Sequence, residues 1–274
     1  MSWSLLDSGG AGFSDGGSGH NFTFPSGPAS AGDLLVLGIS SDTTVSTPSG
    51  WSLATSDVGN LGAYIFYKTA AGGETSVAVA TSGNFATALG YARYSGASAS
   101  PLDATAAGRN VVSGNTTPTA TTGTLAATGE LSIAAACLGG LQTGTQTGIT
   151  WSTGYTNRID QTSGGTGSSD QHVFIADNRN AGTSAESPSA SWTGNTNNQT
   201  LLVATFLSAG GTTVNASASL AAAGMLTAAA SYIAEASATF SALAMLAATF
   251  GHTTVVRPNT GTVIRPNTGI VSRP

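Results

Sequence analysis

The chain repeats itself at three lengths, and that habit restricts it to folds built by adding equivalent strands or modules. Residues 255–274 read Val-Val-Arg-Pro-Asn-Thr-Gly-Thr, Val-Ile-Arg-Pro-Asn-Thr-Gly-Ile, Val-Ser-Arg-Pro, with Arg257, Arg265 and Arg273 in one register. Upstream, Asn215-Ala216-Ser217-Ala218-Ser219-Leu220 is matched by Glu235-Ala236-Ser237-Ala238-Thr239-Phe240. A fainter doublet spans 32–207: Gly32-Asp33-Leu34 answers Gly129-Glu130-Leu131, Gly50-Trp51 answers Gly154-Tyr155, and Gly83-Asn84 answers Gly194-Asn195.

Composition narrows the partners. Only 8% of the 274 residues are charged, and 37 are glycine, so the surface is polar without being ionic. Residues 1–210 carry twelve acidic and five basic groups, while the remainder carries Glu235 against three arginines. An acidic body argues against nucleic acid, which needs clustered Lys and Arg. Met1-Ser2-Trp3-Ser4 lacks the charged and apolar regions of a signal peptide. Polar residues, Glu235 among them, interrupt the apolar 216–250 stretch, so no membrane span is expected. The single cysteine, Cys137, lies in an apolar run and reads as a buried, inert thiol.

From residue 32 onward short β-rich runs alternate with Gly, Pro, Ser and Asn clusters, the punctuation of a sandwich. Strands are expected over 34–40, 62–69, 76–80, 86–94, 131–138, 172–176, 189–192 and 201–207. Eight strands suit a jelly-roll-like antiparallel β-sandwich, in which two four-stranded halves close over one core. This domain is placed at 1–209.

Gly32-Asp33-Leu34-Leu35-Val36-Leu37, Pro48-Ser49-Gly50-Trp51, Ile65-Phe66-Tyr67-Lys68, Ala92-Arg93-Tyr94-Ser95-Gly96 and Thr200-Leu201-Leu202-Val203-Ala204 together resemble a β-sandwich module of tailed-bacteriophage structural proteins. The resemblance covers about 1–209. It implies a jelly-roll-like domain displayed on a virion, with carbohydrate binding more expected than catalysis.

After Gly210-Gly211 a region of Ala, Ser and Leu, 210–251, reads either as stacked β-hairpins or as a helical seam through Leu226, Ala229, Ile233, Ala236, Phe240, Leu243, Ala247 and Phe250. Hairpins are preferred, because similar repeats follow such modules in minor tail proteins of actinobacteriophages. Either form leaves an apolar face that a homo-oligomer, a trimer by preference, or a host particle must cover. In the tail, 252–274, proline holds each preceding arginine extended and Asn-Thr-Gly turns the chain. Arg257, Arg265 and Arg273 would pair with acidic groups of other virion proteins, while Val256 and Ile264 extend a neighbour's sheet.

Catalytic and metal patterns are weak. Gly12-Phe13-Ser14-Asp15-Gly16 matches the nucleophile elbow, but that chemistry needs a strand-to-helix turn and the flanks here are glycine-rich. His20, His172 and His252 lack ligand spacing, and of the acids only Asp160, Asp170 and Asp177 fall near one another. The Pro-Asn-Thr-Gly units resemble a sortase signal, yet arginine stands where leucine is required. Trp51, Trp151 and Tyr155 adjoin turn glycines, where a loop could present their faces to sugar; Trp3 and Trp192 are assigned to packing. The expectation is a non-enzymatic minor tail protein without cofactor or metal, serving assembly and adhesion to a host-surface glycan. A capsid decoration or head-fibre protein, and a carbohydrate-binding or depolymerase module, are the alternatives.

Overall fold

The structure, a computed structural model, describes residues 3–14, 17–83, 85–111, 113–141, 146–164 and 170–209. All belong to one compact unit, Met1–Val214. The repeat region 210–251 and the tail with Val256, Arg257, Ile264, Arg265 and Arg273 lie outside the described residues, as does His252.

The described residues form fourteen strands and no helix. In the first half these are β1 (Ser4–Phe13), β2 (Gly19–Thr23), β3 (Leu34–Ser41), β4 (Ser52–Val58), β5 (Gly62–Thr69), β6 (Ser76–Ala80) and β7 (Thr87–Ser95). In the second they are β8 (Ala97–Asn110), β9 (Gly114–Thr116), β10 (Glu130–Leu141), β11 (Thr147–Trp151), β12 (Thr156–Thr162), β13 (Gln171–Ala181) and β14 (Ala190–Ser208). The eight expected runs fall on seven of them, since 189–192 and 201–207 are the two ends of β14. Each pairing is antiparallel.

Each half keeps its strands to itself. The first makes a five-stranded sheet in the order β1-β7-β3-β5-β4 and a separate β2-β6 pair, which Val45 extends by bridging to Thr81. The second repeats the plan as β12-β13-β10-β14, with β8 along the far end of β14 and β9 and β11 along its near end. Counterparts therefore stand in the same order: β1 and β8, β7 and β14, β3 and β10, β5 and β13, β4 and β12.

The match extends to single residues. Gly32 and Gly129 both take positive φ (88° and 73°), and each donates its N–H across the sheet end, to Ala70 and Ala181 respectively. The next residue is an acid in both halves; the Asp33 carboxylate accepts from the Ser30 N–H and the Glu130 carboxylate from the Ala127 N–H, three residues back. β4 and β12 carry the same bulge, between Leu53 and Thr55 and between Asn157 and Ile159. The doublet read in the sequence is a duplicated fold.

The sandwich forms where the two large sheets meet. Strand alternation sends Leu34 and Val36 to one face of β3 and Leu35, Leu37 and Ile39 to the other. The first set joins Ile65, Ala88 and Ala92 against Leu131, Ile133, Ala135, Cys137 and Ile175 of the second half. The second set packs against Phe22, Phe24, Val77 and Val79 beneath the β2-β6 pair. Beyond the second sheet, Ala136, Leu138 and Phe174 pack under Trp192, Ile149 and Trp151, carried by the near end of β14 and by β11.

The expected single core between two four-stranded sheets is therefore corrected: each half has an outer core of its own, and a shared one lies between. Both faces of the central strands are buried, which is why they read as continuous apolar runs rather than alternating ones.

Gly38 and Gly90 face each other across β3 and β7 and leave a dent that Ile175 fills. A Cβ on Gly38 would lie 2.7 Å from Ile175 Cδ1, and one on Gly90 would lie 2.6 Å from that atom and 2.9 Å from Ile159 Cγ2. Gly12 is bare for a different reason: its Cβ would stand 2.0 Å from the Thr162 carbonyl oxygen. The glycine of the elbow-like pattern thus serves close approach of β1 to β12.

Candidate functional site

Trp51 and Tyr155 occupy equivalent places. Each closes a four-residue turn, the Trp51 N–H donating to the Pro48 carbonyl (3.0 Å) and the Tyr155 N–H to the Ser152 carbonyl (3.2 Å). The third turn residue is glycine at φ 76° (Gly50) and 94° (Gly154), a conformation a side chain would strain. Both rings are partly buried.

The surroundings differ. Beneath Trp51 the floor is Leu35, Phe24 and Val77, and the walls are Ser49, Lys68, Glu74 and Ser76, enclosing about 110 Å³. A second hollow of about 310 Å³ shares Lys68 with the first and is lined by Gly50, Ser52, Tyr67, Thr69, Ser100 and Leu102 among others. Lys68 Nζ sits 2.9 Å from Glu74 Oε1. Glu74 also accepts from the N–H groups of Ala71 (2.8 Å) and Gly72 (2.9 Å). Burial works to raise the Glu74 pKa, but Lys68 and these amides outweigh it and hold the carboxyl at about 2.

In the second half the place of Leu35 is taken by Ser132, each standing across its sheet from the counterpart of the other pair, Lys68 or Asn178. Glu186 answers Glu74: its carbonyl accepts from the Thr122 N–H as that of Glu74 accepts from the Ala29 N–H. The Tyr155 hydroxyl donates to Glu186 Oε2 (2.5 Å) and bonds Ser132 Oγ (2.6 Å). Burial, with the Glu186 carboxylate beside it, pushes the Tyr155 pKa up. Trp151 stacks on Tyr155 at 6.3 Å, and its indole N–H donates to Asn157 Oδ1 (3.1 Å).

Of the three aromatic residues expected to bind glycan, the structure brings Trp151 and Tyr155 together and leaves Trp51 in the other half. Lys68 and Glu74 were not foreseen. One signal was available: Lys68 is the chain's one lysine.

The remaining candidates are structural in their contacts. Trp3 and Trp192 are each 4% exposed. Cys137 is buried, donates to the Ile39 carbonyl (3.4 Å), and burial pushes its thiol pKa up to about 12. Asp160 pairs with buried His172 (2.6 Å), Asp177 with Arg158 (2.8 Å), and Asp170 accepts from Ser163. The three acids that looked clustered in the sequence thus have separate partners, and no group of three metal-ligating side chains occurs among the described residues. His20 is buried and stacked on Phe13 at 4.1 Å. Phe13 ends β1, so the elbow-like pattern is not followed by a helix among the described residues. Comparison with known protein families, characterised proteins and solved structures finds no match to this chain.

Proposed function

We propose that this chain is a non-enzymatic structural protein of a tailed-bacteriophage virion, a minor tail protein that displays its β-sandwich outward and adheres to host-surface glycan. The observation that carries the reading is serial construction at every scale. Two matched halves pack face to face, and the second hands over at Ala209 to units that repeat in the sequence. Assemblies use such reiteration to present equivalent surfaces.

The finer fold assignment belongs to the same proposal. In the first half β1-β7-β3-β5 lies against β2, β6 and the Val45 bridge, and the chain passes between the two layers at each step but the β4-β5 hairpin, which stays in the large sheet; this is close to jelly-roll order. The chain is then two jelly-roll-like modules in tandem rather than one. The repeat region and the Arg257, Arg265 and Arg273 tail serve as the oligomerising and docking parts, with other virion proteins as partners.

Gold-labelled antibody against residues 1–209 tests the assignment on purified particles. Label at the tail is the expected result. Label over the capsid transfers the protein to the decoration or head-fibre class, and intact particles without label refute a virion role.

A further inference from the structure

The duplication supplies an internal control for the hollow at Trp51. Whatever both halves share is needed to build the module: the turn glycine, an aromatic after it, and a glutamate tied to the preceding loop. What only one half has, the module does not require. The first half has a lysine where the second has Asn178, leucine where the second has Ser132, and tryptophan where the second has Tyr155.

These three differences act together. In the second half the aromatic hydroxyl reaches Glu186 and Ser132, so the protein's own groups occupy the polar positions of the site. In the first half Trp51 carries no hydroxyl and packs on the buried apolar cluster of Leu35, Phe24 and Val77, and Glu74 turns to Lys68, so no side chain of the module takes the place that the Tyr155 hydroxyl fills in the second half. Lys68 keeps 22% of its side chain exposed while ion-paired to Glu74, and both hollows share it. A partly buried lysine loses hydration and side-chain freedom, and the second half shows that asparagine satisfies the fold at that place.

We propose that the two hollows sharing Lys68 form one binding groove for an uncharged oligosaccharide, and that the equivalent place at Tyr155 is its closed, structural copy. This rests on the glycan-adhesion reading and names the site and ligand class for it. Apolar C–H faces of a hexose pack on the partly exposed Trp51 ring, while hydroxyls meet Lys68 N–H donors, the Glu74 carboxylate, and the Ser49, Ser76, Ser52 and Ser100 hydroxyls. The 110 Å³ hollow takes the edge of a sugar ring, and the 310 Å³ hollow takes the ring itself. A chain of two or more sugars then spans both hollows at Lys68. The Lys68–Glu74 pair is neutral overall, and the acidic body around it repels anions, so the groove selects uncharged chains over uronates.

The test is calorimetric titration of the full chain with hexaoses of uncharged α-glucan, β-glucan, mannan and galactan, and with oligogalacturonate. The expected result is binding of at least one uncharged hexaose and none of oligogalacturonate. Lys68→Asn, which installs the second half's residue, should weaken that binding at least tenfold while the protein stays folded by circular dichroism, its melting temperature lowered only by the lost pairing with Glu74. Ser100→Trp, at an exposed position that cannot disturb the core, should abolish it by filling the larger hollow, and Tyr155→Phe should retain it. Preference for oligogalacturonate, loss of binding in Tyr155→Phe with full binding in Lys68→Asn and Ser100→Trp, or no binding to any hexaose overturns the site. Tail labelling in the antibody experiment, obtained alongside such a negative, leaves the virion role standing and removes only the groove.

Discussion

The contact of Ile175 with the paired glycines of the opposite sheet can be tested by a double-mutant cycle. Gly90→Ala places a methyl 2.6 Å from Ile175 Cδ1 and 2.9 Å from Ile159 Cγ2. Ile175 is fully buried and Ile159 nearly so, and both are stiff at χ1. Overpacking of this kind costs about 1–3 kcal/mol, offset by roughly 0.4–1 kcal/mol from lost freedom in the unfolded chain. Ile175→Val removes the offending methyl and costs about 0.8 kcal/mol in transfer, with a cavity penalty that brings it to roughly 1–1.5 kcal/mol. In the double mutant the alanine methyl occupies the space the isoleucine methyl vacates, and only its approach to Ile159 Cγ2 is left to relieve. The combined loss should therefore fall at least about 1 kcal/mol short of the sum of the singles, beyond the usual additivity error of about 0.3–0.5 kcal/mol. Urea denaturation of the full chain, followed by tryptophan fluorescence, measures all four corners. Additive losses would refute the claim that this dent and knob register the two halves.

Three further outcomes follow from the same contacts. Glu74 has its folded pKa depressed to about 2 from an ordinary 4.5, so its share of stability is present above pH 4.5 and lost as pH falls through 2. At about 1.4 kcal/mol per unit, discounted for solvent screening, this is about 1–2 kcal/mol, and Glu74→Gln should flatten acid unfolding curves in that window. Asp42 shows the opposite sign: burial, with an opposing hydrogen bond from Gln171 and repulsion from Asp170, raises it to about 6 from 3.8. Its contribution is complete below pH 3.8 and lost as pH rises through 6, so Asp42→Asn should stabilise the protein at pH 8 by about 1 kcal/mol, read as an increased urea midpoint. Deleting 252–274 should leave the 1–209 body folded by circular dichroism but absent from particles, and normal incorporation would dismiss the docking role of the three tail arginines.

Strands buried on both faces could be read directly, because Leu34 to Ile39, Ala63 to Phe66 and Ile133 to Leu138 carry no charged residue and are almost wholly apolar. The missed strands have the opposite character. β1 is largely Ser, Gly and Asp and pairs with the distant β7, β8 pairs with the distant β14, and β4 and β12 are polar sheet edges held by the apolar strands that follow them, where they meet Ile65 and Ile175. Local composition carries no trace of such pairing. β14 looked like two strands because Thr193 to Gln199 is polar and Gly194 bends at φ 96°. The turn glycines before Trp51 and Tyr155 were legible as turns. That Glu74 returns to Lys68 was not, since the Ala-Ala-Gly-Gly reversal between them shows nothing of where its ends meet. The echo between Gly32-Asp33 and Gly129-Glu130 proved the deepest signal, because it preserved a hydrogen-bonding geometry rather than an apolar pattern.

The exit of the chain has a mechanical consequence. The Ala209 N–H donates to the Gly96 carbonyl at 2.7 Å, and Ser208 stands opposite Ala97, so the second half begins and ends at one point. Tension between a surface gripped by the first half and whatever is anchored beyond Ala209 would be applied across that closure. Load at that closure would fall on the β14–β8 hydrogen bonds in turn rather than on all of them together, and failure would release residues 97–208 as slack, several hundred ångströms at the reach of an extended chain.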